Sequence, residues 1–171
     1  MEIDVAREVN GPGQEPTCGH NDATTTRIRT ARGRRHGSTA VKVVSGADHA
    51  QGSRRAPEEW FTGVVWQEPV FEDEAQATVK AVWVVFEPAA RTHWHRHADS
   101  QLLHVIVGRG RVASRAGEAS EIRAGDLVHV PPGEEHWHGA GPSTLMVHLA
   151  ITIADTDWLE EVSERDYGRG F

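Results

Sequence analysis

The sequence predicts an all-β fold, a barrel or sandwich of short strands, and three observations support this. From Pro57 onward, runs of β-branched and aromatic residues such as ATVKAVWVVFE and QLLHVIVGRGRVAS alternate with turns rich in Gly, Pro and charge. Between Val79 and Phe86, both alternating faces carry apolar residues, which is typical of a strand buried between two sheets. A helical pattern is confined to the C-terminal end.

The predicted helix is short. Asp155 or Thr156 is suited to cap it, and helical spacing would place Trp158 and Val162 on one side. With 171 residues the chain is long enough for one domain with a substantial core.

Composition disfavours several partners. The chain holds 18 basic and 25 acidic residues, a formal net charge of −7, so nucleic acid and an anionic membrane are not expected as main partners. No apolar run approaches membrane-spanning length, and the first fifteen residues lack the pattern of a secretory signal. The single cysteine, Cys18, excludes an internal disulfide. We therefore expect a cytoplasmic protein.

The N-terminal third differs from the rest. Residues 1–56 hold nine basic and six acidic residues, and residues 57–171 hold nine and nineteen. The first segment is rich in Gly, Thr, Arg and Ser, so we expect a disordered, flexible extension over 1–56 and one folded domain over 57–171. Residues 41–44 (VKVV) are a candidate edge strand. The Arg27–Arg35 run could contact a polyanion, but a solvated tail is the favoured interpretation.

Histidine is concentrated in the second segment. Eight of the 11 histidines lie between positions 93 and 148, which points to metal binding or acid–base chemistry. They are His93, His95, His97, His104, His129, His136, His138 and His148.

Four positions form a candidate metal site. On a strand, His95 and His97 would point to the same face, roughly 6.6 Å apart, and two such imidazoles can bind one ion. Gln101 follows four residues later as an oxygen donor or as a hydrogen-bond partner of a metal-bound water. His136, after the turn PPGEEH, is a candidate distant ligand. Imidazole suits zinc, copper, iron and nickel, and an amide oxygen extends the range toward manganese.

These residues resemble the two motifs of the cupin superfamily of jelly-roll (double-stranded β-helix) barrels. The first motif corresponds to His95, His97, Gln101 and Gly108, with glutamine where the family usually has glutamate. The second corresponds to Gly125, Pro131, Gly133 and His136, with Ala140 where asparagine is frequent.

More narrowly, the chain from about Glu59 to Tyr167 is similar to small bacterial cupins of the carboxymuconolactone decarboxylase-associated type, among them the cupin-type hydroxynitrile lyases. This resemblance implies a divalent metal ion (manganese, iron, nickel, cobalt or zinc), a small-molecule substrate, and a homodimer or higher even oligomer. It implies that the metal ligands are His95, His97, Gln101 and His136. It also implies that His148 lines the pocket beside them.

The other histidines keep more than one interpretation. His138 and His148 are candidates for the catalytic proton transfer, or for orienting a ligand. His93 has the same strand parity as His95 and His97, but three alternating residues span too great a distance to hold one ion. His93 is therefore a pocket candidate, together with Trp83 and Met146. A minor alternative is that His93 and His95 are the ligand pair. His104 has outward parity, and His129 has no assigned role.

The glutamine affects the charge of the site. Three neutral imidazoles and an amide leave a divalent ion at +2, which favours Lewis-acid chemistry and anion binding. Three functions follow as hypotheses: a metal-dependent lyase resembling the hydroxynitrile lyases, a metal-dependent oxygenase acting on an aromatic or enolic substrate, and a non-catalytic metal- or ligand-binding cupin.

Overall fold

The structure, a computed structural model, confirms the all-β jelly-roll fold with one short C-terminal helix. It describes residues 41–45, 52–73, 79–117 and 119–169. The elements in chain order are β1 (Arg54–Arg55), β2 (Phe61–Thr62), β3 (Val65–Asp73), β4 (Val79–Phe86), β5 (Arg91–Thr92), β6 (His95–His97), β7 (Gln101–Ser114), β8 (Ser120–Arg123), β9 (Leu127–Val130), β10 (His136–Ala140), β11 (Met146–Ile153), β12 (Thr156–Trp158) and α1 (Glu164–Tyr167).

The strands form one curled antiparallel sheet in the order β1-β3-β4-β11-β7-β10-β5-β2. One wall is β3, β4 and β11, followed by the first half of β7, which also pairs with β9. The opposite wall contains the second half of β7 with β8 and β10, and β10 continues to β5 and β6. β12 pairs with β6. The strand β7 therefore joins the two walls.

Gly108 lies where β7 passes from one wall to the other. Its φ is +79°, a conformation that favours glycine. A Cβ atom there would lie 1.9 Å from the carbonyl oxygen of Leu145, so any side chain would displace the backbone just before β11. Gly108 is thus required by the bend of the barrel.

The core fills the space between the walls. Its fully buried members include Val65, Phe86, Leu103, Val105 and Met146. Along β4 the residues Val84 and Phe86 are buried, whereas Trp83 and Val85 on the opposite face are only partly buried, so the strand is not buried equally on both faces. Burial of such side chains contributes roughly 1.5–3 kcal/mol each.

The C-terminal segment is fastened to the barrel by a cluster that we call the C-terminal clamp: Arg91, Arg111, Glu164 and Tyr167. Arg91 Nη2 donates to Glu164 Oε1 (2.7 Å) and to the carbonyl of Val162 (3.0 Å), and its guanidinium lies 4.6 Å from the Tyr167 ring centre. Arg111 Nη1 donates to the carbonyl oxygens of Tyr167 and Arg169.

The hydroxyl of Tyr167 donates to the carbonyl of Ala140, at 2.9 Å. Most donors of the clamp thus meet acceptors within the chain, whereas Arg91 Nε is buried without a hydrogen-bond partner among the described residues.

The helix lies later than expected. Ser163 is its N-cap and accepts from the backbone N–H of Asp166, whereas Thr156 and Trp158 belong to β12. The prediction of a cap at Asp155 or Thr156 was wrong because pairing with β6 extends that segment.

The expected N-terminal extension covers residues 1–56, of which 1–40 (with Arg27–Arg35) and 46–51 lie outside the described residues. Within it, β1 pairs with β3, so strand pairing begins before Pro57. Residues 41–45 form no strand, and the side chains of Val41 and Val43 are almost fully exposed. Among the described residues, no helix has the length and apolar character needed to cross a membrane.

Candidate metal centre

The strands β6 and β10 carry four histidines into the barrel. His95 and His97 alternate with exposed Arg96, so both imidazoles point inward and are 1% and 2% exposed. His136 is directly opposite His95 in the β10–β6 register, and their ring centres are 4.1 Å apart. The pairing of β6 with β10, which are far apart in the sequence, therefore brings the two predicted motifs together.

Two of these rings are oriented by the backbone. His95 Nδ1 donates to the carbonyl of His93 (3.0 Å), and His136 Nδ1 donates to the carbonyl of Glu134 (2.9 Å). A carbonyl oxygen only accepts, so each Nδ1 carries the proton and each Nε2 keeps a lone pair. This is the tautomer that a metal-binding histidine needs.

Gln101 lies against His136 in an arrangement that neutral groups do not favour. The amide nitrogen of Gln101 donates to Thr152 Oγ1 (3.0 Å), which leaves Oε1 facing His136 Nε2 at 3.0 Å. Both facing atoms are acceptors when the ring is neutral. A cation between them reconciles the contact, because two ligands about 2.1 Å from one ion at a right angle are about 3.0 Å apart.

His97 adds an unused donor atom. Its Nδ1 lies 3.2 Å from Thr156 Oγ1, while its Nε2 is buried and has no hydrogen-bond partner among the described residues. Such an atom costs free energy unless a ligand or water satisfies it. We call His95, His97, Gln101 and His136 the histidine cluster.

The electrostatics of the cluster keep the rings neutral. Burial lowers the pKa of His136 to about 4. Burial, followed by the proximity of His136, lowers the pKa of His95 well below its ordinary value, and burial also lowers the pKa of His97. Neutral imidazole is the form that binds metal, so the site is prepared for an ion at neutral pH.

A metal ion could also be held by a partly different set of three. Ring nitrogens of His95, His136 and His138 lie within 4.8 Å of one another, and all three residues are buried. The predicted set has His97 and Gln101 in place of His138. His138 Nδ1 is already engaged with His148 Nε2 at 3.3 Å, whereas His97 Nε2 is unpartnered. The structure therefore supports a metal site of buried histidines, with His95 and His136 in both sets.

His138 and His148 form a pair beside this cluster. Their ring centres are 5.0 Å apart, and Phe86 packs against both rings. Burial lowers the pKa of His148 to about 3, and burial together with neighbouring His148 lowers the pKa of His138 well below its ordinary value. The Nδ1 of His148 is buried without a partner among the described residues. Both rings are thus neutral and one hydrogen bond links them.

A cavity of about 130 Å³ adjoins these groups. Five of the six predicted ligand and proton-transfer residues line it, and His136 contacts Gln101 behind them. The rest of the wall consists of Lys80, of apolar side chains and of neutral polar side chains. The apolar ones are Phe61, Val82, Val84, Ala150 and Trp158, and the neutral polar ones are Gln67, Thr92, Thr152 and Thr156. The volume equals roughly four waters at about 30 Å³ each, so the cavity fits one small molecule.

A larger groove of about 460 Å³ lies elsewhere on the surface. It is open, and His136 is the one member of the histidine cluster that reaches it, beside exposed His129. The concentration of ligating atoms makes the smaller cavity the candidate site.

The three pocket candidates from the sequence lie elsewhere. Trp83 has the opposite parity to Val82 and Val84, so its side chain points away from the cavity. Met146 is fully buried in the core, where Gly110 leaves room for its sulfur. His93 is half-buried and supplies its carbonyl to His95, without lining the cavity. This also disfavours the alternative pair of His93 with His95.

Two histidines point away from the site. His104 is exposed, as its outward parity predicts. His129 is exposed as well, and its Nε2 lies 3.4 Å from Ser100 Oγ.

Several lining residues were absent from the sequence-based site. Lys80, Val82 and Val84 alternate along β4, so the parity of that strand could have identified them. Thr152 and Thr156, which bind Gln101 and His97, and the ring of Trp158 come from the C-terminal strands. No local pattern reveals their role, because it depends on the pairing of β11 and β12.

Comparisons with known proteins indicate the family of this chain. Residues 82–152 match the cupin domain family. The chain is 44% identical over 124 residues to the (R)-mandelonitrile lyase of Granulicella tundricola, covering 70% of this chain and 95% of that protein. It is 30% identical over 80 residues to the acireductone dioxygenase of Gluconacetobacter diazotrophicus, covering 45% of each chain.

Among solved structures, a cupin-like protein from Thermotoga maritima is 38% identical to this chain, with a TM-score of 0.64, over 66% of this chain and 89% of that one. The family motifs, the barrel and the buried histidines therefore lead to the same conclusion. The chain belongs to the cupin family.

Proposed function

We propose that this protein is a metal-dependent lyase that cleaves a small hydroxyl-bearing compound of the cyanohydrin class into a carbonyl compound and cyanide. The observation that carries the proposal is the set of unmatched acceptor atoms beside a cavity for one small molecule. The similarity to a mandelonitrile lyase, which covers 70% of this chain and 95% of that protein, supports the choice of chemistry.

The residues that would hold the ion are His95, His97, Gln101 and His136. This set satisfies His97 Nε2 and reconciles the contact between Gln101 and His136, which the alternative set with His138 leaves unexplained. When bound, a divalent ion with these neutral ligands supplies Lewis acidity toward a substrate oxygen or cyanide.

The chain's own groups would move the proton. His148 and His138 stay neutral at pH 7 because burial lowers the pKa of each, so a ring nitrogen of the pair is available as acceptor. In the proposed reaction the substrate hydroxyl loses its proton to His148, the carbon–oxygen double bond forms, and the carbon–carbon bond to cyanide breaks. The hydrogen bond to His138 then stabilises the charged ring.

The apolar wall would exclude water and orient the substrate. Phe61 and Trp158 pack against each other with ring centres 5.5 Å apart, and Trp158 stacks on Trp60 at 5.3 Å. A fixed aromatic wall that contacts His95 through Trp158 favours one orientation of the substrate.

A second candidate is a metal-dependent oxygenase acting on an aromatic or enolic substrate. The similarity to acireductone dioxygenase over 80 residues favours it. The absence of a carboxylate from the proposed ligand set departs from the two-histidine, one-carboxylate arrangement of many iron oxygenases.

The test uses protein whose metal content has been measured, incubated with mandelonitrile in air and under argon. The lyase proposal expects benzaldehyde and cyanide at equal rates in both atmospheres. It also expects a loss of at least about a hundredfold in His148→Ala, against an unchanged rate in the exposed control His104→Ala. Oxygen consumption with an enolic substrate would favour the second candidate, and a metal-loaded protein without turnover of either substrate would indicate a binding cupin.

A further inference from the structure

One lining residue, Lys80, has no part in the proposed proton transfer. It lies on β4 with the inward parity of Val82 and Val84. In the register it pairs with Thr152 of β11, which pairs in turn with Gln101 of β7. Lys80 and Gln101 therefore lie in one row across three strands, with backbones roughly 10 Å apart. Lys80 and members of the histidine cluster line the same cavity, so one small molecule in it can contact both.

The charge partners of Lys80 lie outside the cavity. Its Nζ is 3.4 Å from Glu72 Oε1 and 3.8 Å from Asp155 Oδ1, and the two carboxylates are 54% and 88% exposed. Both belong to an outer groove that shares Lys80 with the cavity, so Lys80 lies at the mouth. Exposed ion pairs of this kind are weak, so a ligand can displace them.

The cavity lining differs in charge from the chain as a whole. None of the described residues that line the cavity is Asp or Glu, although the whole chain carries a net charge of −7. Lys80 is the cation of that wall, and the proposed metal set adds no anionic ligand. An anion that displaces Glu72 and Asp155 from Lys80 therefore meets a cation and no carboxylate among the described residues that line the cavity.

We propose that the substrate of this site is a small organic anion, with a carboxylate held by Lys80 at the mouth and its hydroxyl end facing the histidine cluster. The proposal rests on the proposed function, whose substrate class it specifies.

The test is binding by calorimetry to the Mn²⁺-loaded protein. The probes are 3-hydroxypropanoate and its neutral amide, 3-hydroxypropanamide, which match in size. We expect the wild type to bind the anion about tenfold more tightly, as a charge-assisted hydrogen bond would give. Lys80→Met should abolish that preference, Lys80→Arg should retain most of it, and Glu72→Gln should increase it two- to threefold.

The double variant Lys80→Met/Glu72→Gln is the matched control, because its net charge equals that of the wild type. The preference should be lost there as well. If the double variant kept the preference, if the wild type bound both probes equally, or if neither bound at millimolar concentration, the proposal would be overturned. A protein that keeps the preference but does not cleave cyanohydrins would refute the lyase chemistry and leave the anion site standing.

Discussion

Two buried polar regions of this barrel differ in how their atoms are matched. In the C-terminal clamp, most arginine and tyrosine donors meet carbonyl and carboxylate acceptors of the same chain, and Arg91 Nε is the buried donor without a partner among the described residues. In the histidine cluster, lone pairs of His136 and Gln101 face each other, and His97 Nε2 has no partner within the part of the chain that the structure describes. Polar burial in the clamp thus serves the fold, whereas polar burial in the cluster prepares the protein for an external ion.

The largest expected difference between the two regions is in metal content. The double variant His95→Ala/His97→Ala should fall from near one equivalent of bound metal to less than a tenth, because two of the proposed ligands are removed. Elemental analysis of protein purified without a histidine tag measures this, with circular dichroism to verify the fold.

The matched control is His104→Ala, which removes an exposed histidine from β7 and should keep the metal. A double variant that kept its metal would assign the ion to other groups, such as His136 with His138.

The next effect is the pH dependence of stability. Above pH 6.5 neither the folded nor the unfolded metal-free protein protonates these histidines. Below pH 6.5 the histidines of the unfolded chain become protonated, whereas those of the folded state stay neutral until the pH reaches their lowered pKa, about 4 for His136 and about 3 for His148. The free energy of unfolding should therefore fall as pH drops from 6.5 to 4, by up to about 1.4 kcal/mol per pH unit for each buried histidine.

Urea unfolding at several pH values measures this slope. His148→Phe should reduce it, since one buried titrating ring is removed, while His104→Ala should leave it unchanged. A stability independent of pH over this range would show that the rings are accessible to protons in the folded state.

The smallest effect belongs to the clamp. Tyr167→Phe removes the hydrogen bond to the carbonyl of Ala140 and should cost about 1 kcal/mol of unfolding free energy. The bound metal should stay at the wild-type level, because the clamp shares no residue with the cluster. Chemical denaturation and elemental analysis on the same preparation test both expectations, and a loss of metal in this variant would show that the two regions are coupled.

The sequence was informative about the cluster and much less so about the clamp and the cavity wall. Spacing along the chain predicts His95 and His97 as a pair, since alternation within a strand is a local property, and Gln101 joins them through its motif although it begins a different strand, β7. His136 could be added from its motif, because the turn before it is recognisable. The clamp depends on Arg91 meeting Glu164 across 73 residues, and no local pattern contains such a contact.

The same limit explains the pocket residues. Trp83 and Met146 are large and apolar, but which face of a strand lines a cavity depends on the strands packed around it. Lys80 shares a face with Val82 and Val84 by parity, but burial statistics disfavour a charged residue on an inward face, and the register with Thr152 is needed to place it beside the site.

The contact between Trp158 and His95, with ring centres 4.8 Å apart, has an optical consequence. An indole so close to a proposed metal ligand should lose fluorescence when a paramagnetic ion such as manganese or nickel binds, and much less when zinc binds. Trp60, stacked on Trp158, should report the same event. The barrel thus contains an intrinsic spectroscopic reporter, and the identity of the ion can be followed by titration without a label.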